Sequence, residues 1–85
     1  MPNLQERFET AQQNVNQLPE RPDNETQLKL YGLYKQATQG DASGERPSSF
    51  DFVRRAKFDA WSAVKGTSSH DAMEQYIALV DTLRS

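Results

Sequence analysis

Apolar residues recur along this chain at steps of three and four, in four runs separated by prolines, glycines and polar turn formers. In the first run Leu4, Phe8, Ala11, Val15 and Leu18 follow at steps of four, three, four and three, which puts them on one face of a helix. Asn3 followed by Glu6 is the signature of an N-cap with its reciprocal acid, and Pro19 and Pro22 close the run, so a helix is predicted over 4–18. The second run spans 24–39. Asp23 or Asn24 caps its start, with Gln27 in the reciprocal position to Asn24, and Gly40 supplies a residue able to take the left-handed conformation that stops a helix.

Within the second run Leu30, Leu33 and Ala37 form one apolar face, while Leu28, Tyr31, Lys35 and Thr38 fall on the adjoining flank and Tyr34 stands at the border. A flank that mixes aromatic, aliphatic and cationic groups makes a poor core. It suits an amphiphilic anionic ligand. The third helix is predicted from Asp51, a candidate N-cap, through 52–65 with Gly66 as its stop. Its apolar arc holds Val53, Ala56, Ala60, Val64 and Trp61, and Lys57 lies inside that arc, about 40° from Val53 at 100° per residue. Residues on that arc are expected to face the core, which leaves the lysine out of place. The last helix, 69–84, opens on Ser68 with Asp71 in a capping-box arrangement and sets Met73, Ile77, Val80 and Leu83 on one stripe with Tyr76 beside them.

Residues 41–49, DASGERPSS, carry no apolar periodicity and form the one long loop. A connection of that length joins helices that run parallel or cross steeply, and the pattern alone leaves both open. No strand alternation, internal repeat or low-complexity segment is visible. The fold class is all-α with four helices, in a single domain of 85 residues whose core must be modest.

Composition narrows the function. Zero Cys and one His exclude disulfides, thiolate nucleophiles and Cys/His metal sites. The longest apolar stretch, Tyr76 to Val80, is far short of a membrane span, and the start MPNLQERFE lacks a basic segment followed by an apolar run, so a cytoplasmic location is expected. The net charge of −2 hides a segregation. Residues 1–28 carry two cations against five carboxylates, a balance of −3; residues 29–65 carry seven against four, a balance of +3; the remainder carries one against three, a balance of −2. An acidic protein with a basic middle suggests a local anion site; nucleic acid would call for a basic domain.

Two interpretations of Lys57 follow. It is either a border residue that lays its methylenes along the core and reaches water, or one cation of an anion site. Lys35 with Tyr31 one turn earlier offers a second cation and a phenolic donor, and if the two helices pack together these groups converge on a phosphate. Taken singly, Tyr31 and Tyr34 read as core aromatics with rim hydroxyls. His70 has no patterned partner, no serine has a recognisable base, and neither GxxxxGK[ST] nor GxGxxG occurs, so no catalytic residue is assigned.

The string YGLYKQATQGD followed by ERPSSFDFVRRAKFDAWSAVKGTSSHDAMEQYI resembles the acyl-CoA-binding protein family, without gaps and over nearly the whole chain. The resemblance implies an up-down-down-up four-helix bundle with the second and third helices parallel, and a non-catalytic intracellular carrier of medium- to long-chain fatty acyl-CoA esters. It puts Tyr31, Lys35 and Lys57 on the 3′-phosphate and adenine of coenzyme A, Leu28 and Tyr34 along the groove, and Tyr76 on the ligand from the last helix. The acyl chain is then expected in an inter-helix groove. Asn16 and Val53 stand where a lysine is common in the family, so the grip falls on Lys35 and Lys57, with weaker contacts from Ala11, Asn16 and Arg54. The implied ligand is acyl-CoA, with no cofactor, no metal and no nucleic acid, in a monomer touching membranes or acyl-CoA-using enzymes only transiently. The alternative is a small helical protein–protein interaction module that uses the aromatic-cationic face to dock a partner.

Overall fold

The computed structural model describes residues 1–85 as four helices, α1 (Leu4–Asn16), α2 (Asn24–Gln39), α3 (Phe52–Ser62) and α4 (Ser69–Arg84), with no strand. Each start is capped by a side chain accepting a backbone N–H that the helix leaves unpaired. Asn3 and Glu6 form the reciprocal box, Asp23 rather than Asn24 accepts from Thr26, Asp51 from Arg54, and Ser68 from Asp71. Gly40 ends α2 at φ +82°.

Two helices end earlier than the apolar pattern predicts. α1 stops at Asn16 instead of Leu18, and the Gln17 N–H turns back to the Asn14 carbonyl; Pro19 has no N–H to continue the ladder and steers its predecessor away from helical backbone. α3 stops at Ser62 rather than Lys65, where Val64 and Lys65 donate to carbonyls three residues back. The chain is drawn off there because the Gly66 N–H, at φ +90°, donates to the Asp41 carboxylate at 2.9 Å.

Helix α1 packs on α4, α4 on α2, and α2 on α3. The buried core, Phe8, Ala11, Leu30, Leu33, Ala37, Ala72, Tyr76, Ile77 and Val80, comes from α1, α2 and α4 alone. No residue of α3 is buried, which corrects the expectation that its apolar arc faces the core. Val53 and Ala56 line a groove beside α2, described below, Ala60 backs on Gly32, Val64 past the helix end packs half-buried against the core, and Lys57 is exposed. The Cα trace measures 43 × 28 × 14 Å, a flat body in which a core of this size is all that four short helices enclose.

Helix directions follow from contacts at their ends. Phe8, early in α1, stacks on Tyr34, late in α2, at 6.1 Å. Arg7 reaches Glu74, early in α4, at 3.6 Å. Trp61, late in α3, donates from Nε1 to the Gly40 carbonyl at 2.7 Å, and Ser69 at the start of α4 donates to the Ala37 carbonyl at 2.6 Å. α2 and α3 therefore run parallel, with α1 and α4 antiparallel to them: up, down, down, up. The 41–51 connection that parallel packing requires is clamped to α3 by Arg46, which meets Asp59 through Nε at 2.8 Å and a terminal nitrogen at 2.7 Å.

A buried amide fastens this end. Gln36 is 1% exposed, and its Nε2 donates to Asp41 Oδ1 at 2.7 Å and to the Thr67 carbonyl at 2.8 Å. Asp41 thus holds both Gln36 and Gly66. Gly32 sets the helix spacing further along: a Cβ there would lie 2.5 Å from the Ala60 carbonyl oxygen and 2.8 Å from its carbon.

Two expectations arise. Alanine at position 32 would gain about 1 kcal/mol in helix propensity but force rigid backbone apart at about 1–3 kcal/mol. Gly32→Ala should therefore unfold at lower urea concentration, by about 1 kcal/mol, and a higher midpoint would refute the close approach. The second concerns acid. The Gly66 N–H, and after it the Gln36 amide, hold the Asp41 carboxyl below the usual carboxylate range. A depressed folded-state pKa gives a contribution that is complete above the unfolded value near about 4 and lost as pH falls through the folded one. Wild type should accordingly lose stability more steeply below about pH 4 than Asp41→Asn, as followed by helical circular dichroism in urea at successive pH values; equal slopes would remove Asp41 from the account.

Candidate functional site

Because α3 touches only α2 among the helices and is fastened at its C-terminal end, the N-terminal halves of the two leave a groove between them. Its hollow has a volume of about 620 Å³ and is lined by Leu28 and Tyr31 of α2, by Phe52, Val53, Ala56 and Lys57 of α3, and by Arg21, Asn24 and Gln27 at the start of α2. A smaller hollow of about 180 Å³ adjoins it, with Pro47, Arg54, Phe58 and Trp61, and Tyr31 and Lys57 line both.

Across this seam the two helices exchange cations. Lys57 of α3 sets its Nζ over the ring of Tyr31 of α2, 5.4 Å from the centroid, and Lys35 of α2 sets its Nζ over Trp61 of α3, at 4.9 Å. Each ammonium lies on an aromatic face, which holds it without neutralising it. Neither lysine has a carboxylate within ion-pairing distance; the arginine–carboxylate pairs are Arg7 with Glu74, Arg46 with Asp59 and Arg54 with Asp51. Apolar walls of Leu28, Val53 and Ala56 continue from this cationic end, so the groove offers an anion grip and an apolar trough in one recess.

The other side of α2 carries a third hollow, about 430 Å³, lined by Val15, Asn16, Leu18, Pro22, Leu30 and Tyr76, together with Arg21 and Gln27. The last two thus stand between this hollow and the α2–α3 groove. They are tied to each other, Arg21 donating to Gln27 Oε1 at 3.0 Å while Gln27 Nε2 donates to the Pro22 carbonyl.

The candidate residues divide accordingly. Tyr31, Leu28 and Lys57 share the α2–α3 groove, Arg54 lines its smaller annex, and Lys35 joins them through Trp61. Asn16 and Tyr76 meet in the third hollow. The ring of Tyr76 is buried edge-on against Phe8, 5.1 Å between centroids, and burial, helped by neighbouring Tyr34, raises its hydroxyl pKa above the ordinary tyrosine value. Tyr34 stacks on Phe8 and lines none of these hollows, and Ala11 is buried in the core. Sequence reasoning passed over Phe52 as a lining residue, Trp61 as the seat of Lys35, and Arg21 as a wall residue beside Gln27. Phe52 had a signal, an aromatic in the first turn beside the apolar arc. Arg21 had none, since its place depends on the turn between Pro19 and Pro22.

Comparison with known proteins decides the lineage. A family model described as Acyl CoA binding protein matches residues 5–80. The chain belongs to the acyl-CoA-binding protein family. It is 49% identical over 76 residues to the acyl-CoA-binding protein of Saccharomyces cerevisiae, covering 89% of this chain and 87% of the yeast protein. It is 52% identical over 81 residues to acyl-CoA-binding domain-containing protein 3 of Oryza sativa, covering 95% of this chain but only 52% of that protein, so it spans about half of that relative's length. Among solved structures, the crystal structure of Oryza sativa acyl-CoA-binding protein 2 superposes with a TM-score of 0.91 at 46% identity, over 96% of this chain and 91% of that one. The four-helix architecture is thus that of the family. No helix is long and apolar enough to cross a membrane.

The position of Lys57 yields a stability test. Replacing it by leucine forfeits a cation–ring contact worth about 0.5–1 kcal/mol at an exposed site and lays an apolar side chain on the Leu28–Tyr31–Val53 wall, which returns a similar amount. Ligand-free Lys57→Leu should melt at or above the wild-type temperature in a calorimetric scan. A loss well beyond about 1 kcal/mol would make Lys57 a structural residue instead.

Proposed function

We propose that the chain binds fatty acyl-CoA esters one to one and carries them, chemically unchanged, in the cytoplasm. The observation that carries this is the reciprocal pair Lys35 over Trp61 and Lys57 over Tyr31, two cations without carboxylate partners at the end of an apolar trough, in a member of this family. The 3′-phosphate of coenzyme A is assigned to these lysines, with Arg54 as a third cation and Tyr31 as donor and stacking surface for the adenine. The acyl chain takes the apolar walls, and Tyr76 and Asn16 meet ligand on the far side of the Arg21–Gln27 bridge. Tyr34, 38% exposed and stacked on Phe8, and the buried Ala11 stand outside these hollows.

The energetics suit a carrier. Removing a 16-carbon chain from water yields up to about 10 kcal/mol at about 0.8 kcal/mol per methylene, before association and ordering costs are subtracted. The remainder suffices for tight but reversible binding once the phosphate is gripped. The single histidine, His70, lies exposed at the start of α4 beside Asp71 and lines none of the three hollows.

Titration calorimetry with palmitoyl-CoA should show a single site in the wild type and at least tenfold weaker binding in Lys57→Leu, about 1.4 kcal/mol, while that variant keeps its melting temperature. Native mass spectrometry of the purified protein should show an adduct with the mass of an acyl-CoA. Unchanged affinity in the variant would overturn the assignment of Lys57, and absence of heat and of any thermal shift at micromolar ligand would overturn the carrier itself.

A further inference from the structure

Two hollows on opposite sides of α2 share one partition. Leu28, Val53 and Ala56 line the α2–α3 groove, Val15, Leu18 and Leu30 line the hollow on the far side, and Arg21 and Gln27 line both. Apolar wall thus lies on either side of a single polar tie.

That tie is held at both ends. The half-buried Gln27 uses its whole amide: Oε1 accepts from Arg21 at 3.0 Å, and Nε2 donates to the Pro22 carbonyl. The Pro22 ring fixes its own φ, so one end of the amide is anchored to stiff backbone. Arg21 has no carboxylate within ion-pairing distance, and the Gln27 oxygen is its one side-chain partner. Gln27 is therefore pinned between a cation and a turn, across the passage from one hollow to the other.

We propose that Arg21 and Gln27 form a latch that determines which acyl-chain lengths the protein prefers, a role that rests on the acyl-CoA reading above. A chain short enough to end in the α2–α3 groove lies along Leu28, Val53 and Ala56 and leaves the latch closed. A longer one reaches Val15, Leu18 and Leu30 only by parting Arg21 from Gln27, and a half-buried amide that loses its partner beside hydrocarbon is unfavourable. Each methylene moved from water to an apolar wall tightens binding by up to roughly fourfold. Affinity should thus climb with chain length, stall over the lengths that meet the latch, and climb again as the tail fills the second hollow.

A mutant cycle read across acyl length tests this. Wild type, Gln27→Leu, Arg21→Met and the double variant compete for a fluorescent acyl-CoA with octanoyl-, dodecanoyl-, palmitoyl- and behenoyl-CoA, all below micelle-forming concentrations. The quantity compared is the ratio of behenoyl- to octanoyl-CoA affinity, which cancels any effect felt equally at every length. Gln27→Leu removes the amide from the passage and should raise that ratio at least about fivefold. Arg21→Met keeps the apolar stem but frees the Gln27 oxygen, so that the amide can swing out to water, and should raise the ratio at least about twofold. The double variant should gain no more than Gln27→Leu, because members of one hydrogen-bonded pair are not additive. Arg21 is exposed, and its variant carries the test by itself if Gln27→Leu loosens the turn at Pro22.

A ratio unmoved by Arg21→Met would overturn the latch, whether Gln27→Leu raised it or not, as would gains that add in the double variant. Weaker binding of Arg21→Met by the same factor at every length is one such result, and would assign Arg21 to a phosphate of the CoA head. All of these leave the acyl-CoA reading standing. Failure of the wild type to bind any of the four esters would overturn that reading and the latch with it.

Discussion

The structure depends on one carboxylate. Asp41, just past the end of α2, accepts the buried Gln36 amide and the Gly66 N–H on the same oxygen, and Gln36 passes the connection on to the Thr67 carbonyl. With Trp61 on Gly40 and Ser69 on Ala37, three helix ends meet at one place. These bonds force α2 and α3 to run the same way and lock their C-terminal ends together. Parallel neighbours need a long crossing connection, which here is the 41–51 segment clipped to α3 by Arg46 and Asp59. Closed at one end and joined by a loop at the other, the pair opens where its apolar flanks face each other.

The protein divides its apolar surface between stability and use. α1, α2 and α4 share the core, with Phe8 between Tyr34 and Tyr76. α3 contributes no buried residue, and the first part of its apolar arc, Val53 and Ala56, lines the groove. A small core stabilises weakly, and the arc of α3 would have strengthened it had it faced inward. The arrangement gives up part of that stabilisation to keep a trough lined with Leu28, Val53 and Ala56 open to solvent, as functional sites commonly do.

Much of this was legible in the residues. The four helices, their caps at Asn3, Asp51 and Ser68, and the stop at Gly40 follow from local chemistry, because a cap is satisfied within four residues of itself. The helix wheel also picked out Tyr31, Lys35 and Lys57. It failed where a residue's role is set from a distance. An apolar arc looks the same whether it faces a core or a groove, so Val53 was assigned inward although it is 65% exposed. α3 ended early because Asp41, 25 residues away in the chain, draws off the Gly66 N–H. The wall of Arg21 and Gln27 was illegible for the same reason, since both side chains are placed by the turn at Pro22 and not by any periodicity.

Gly32 adds a mechanical property to the pair. Where its missing side chain meets the Ala60 carbonyl, the two helices approach as closely as backbones allow, and that contact lies near the fastened end of α3. The eight residue steps from Phe52 to Ala60 span about 12 Å at 1.5 Å per residue. Pivoting about this fulcrum by some 10° moves the start of α3 by roughly 2 Å, a displacement resisted by no buried side chain of α3. The two helices are thus closest where Gly32 meets Ala60, and α3 is least enclosed at its other end, where Phe52 and Val53 stand exposed.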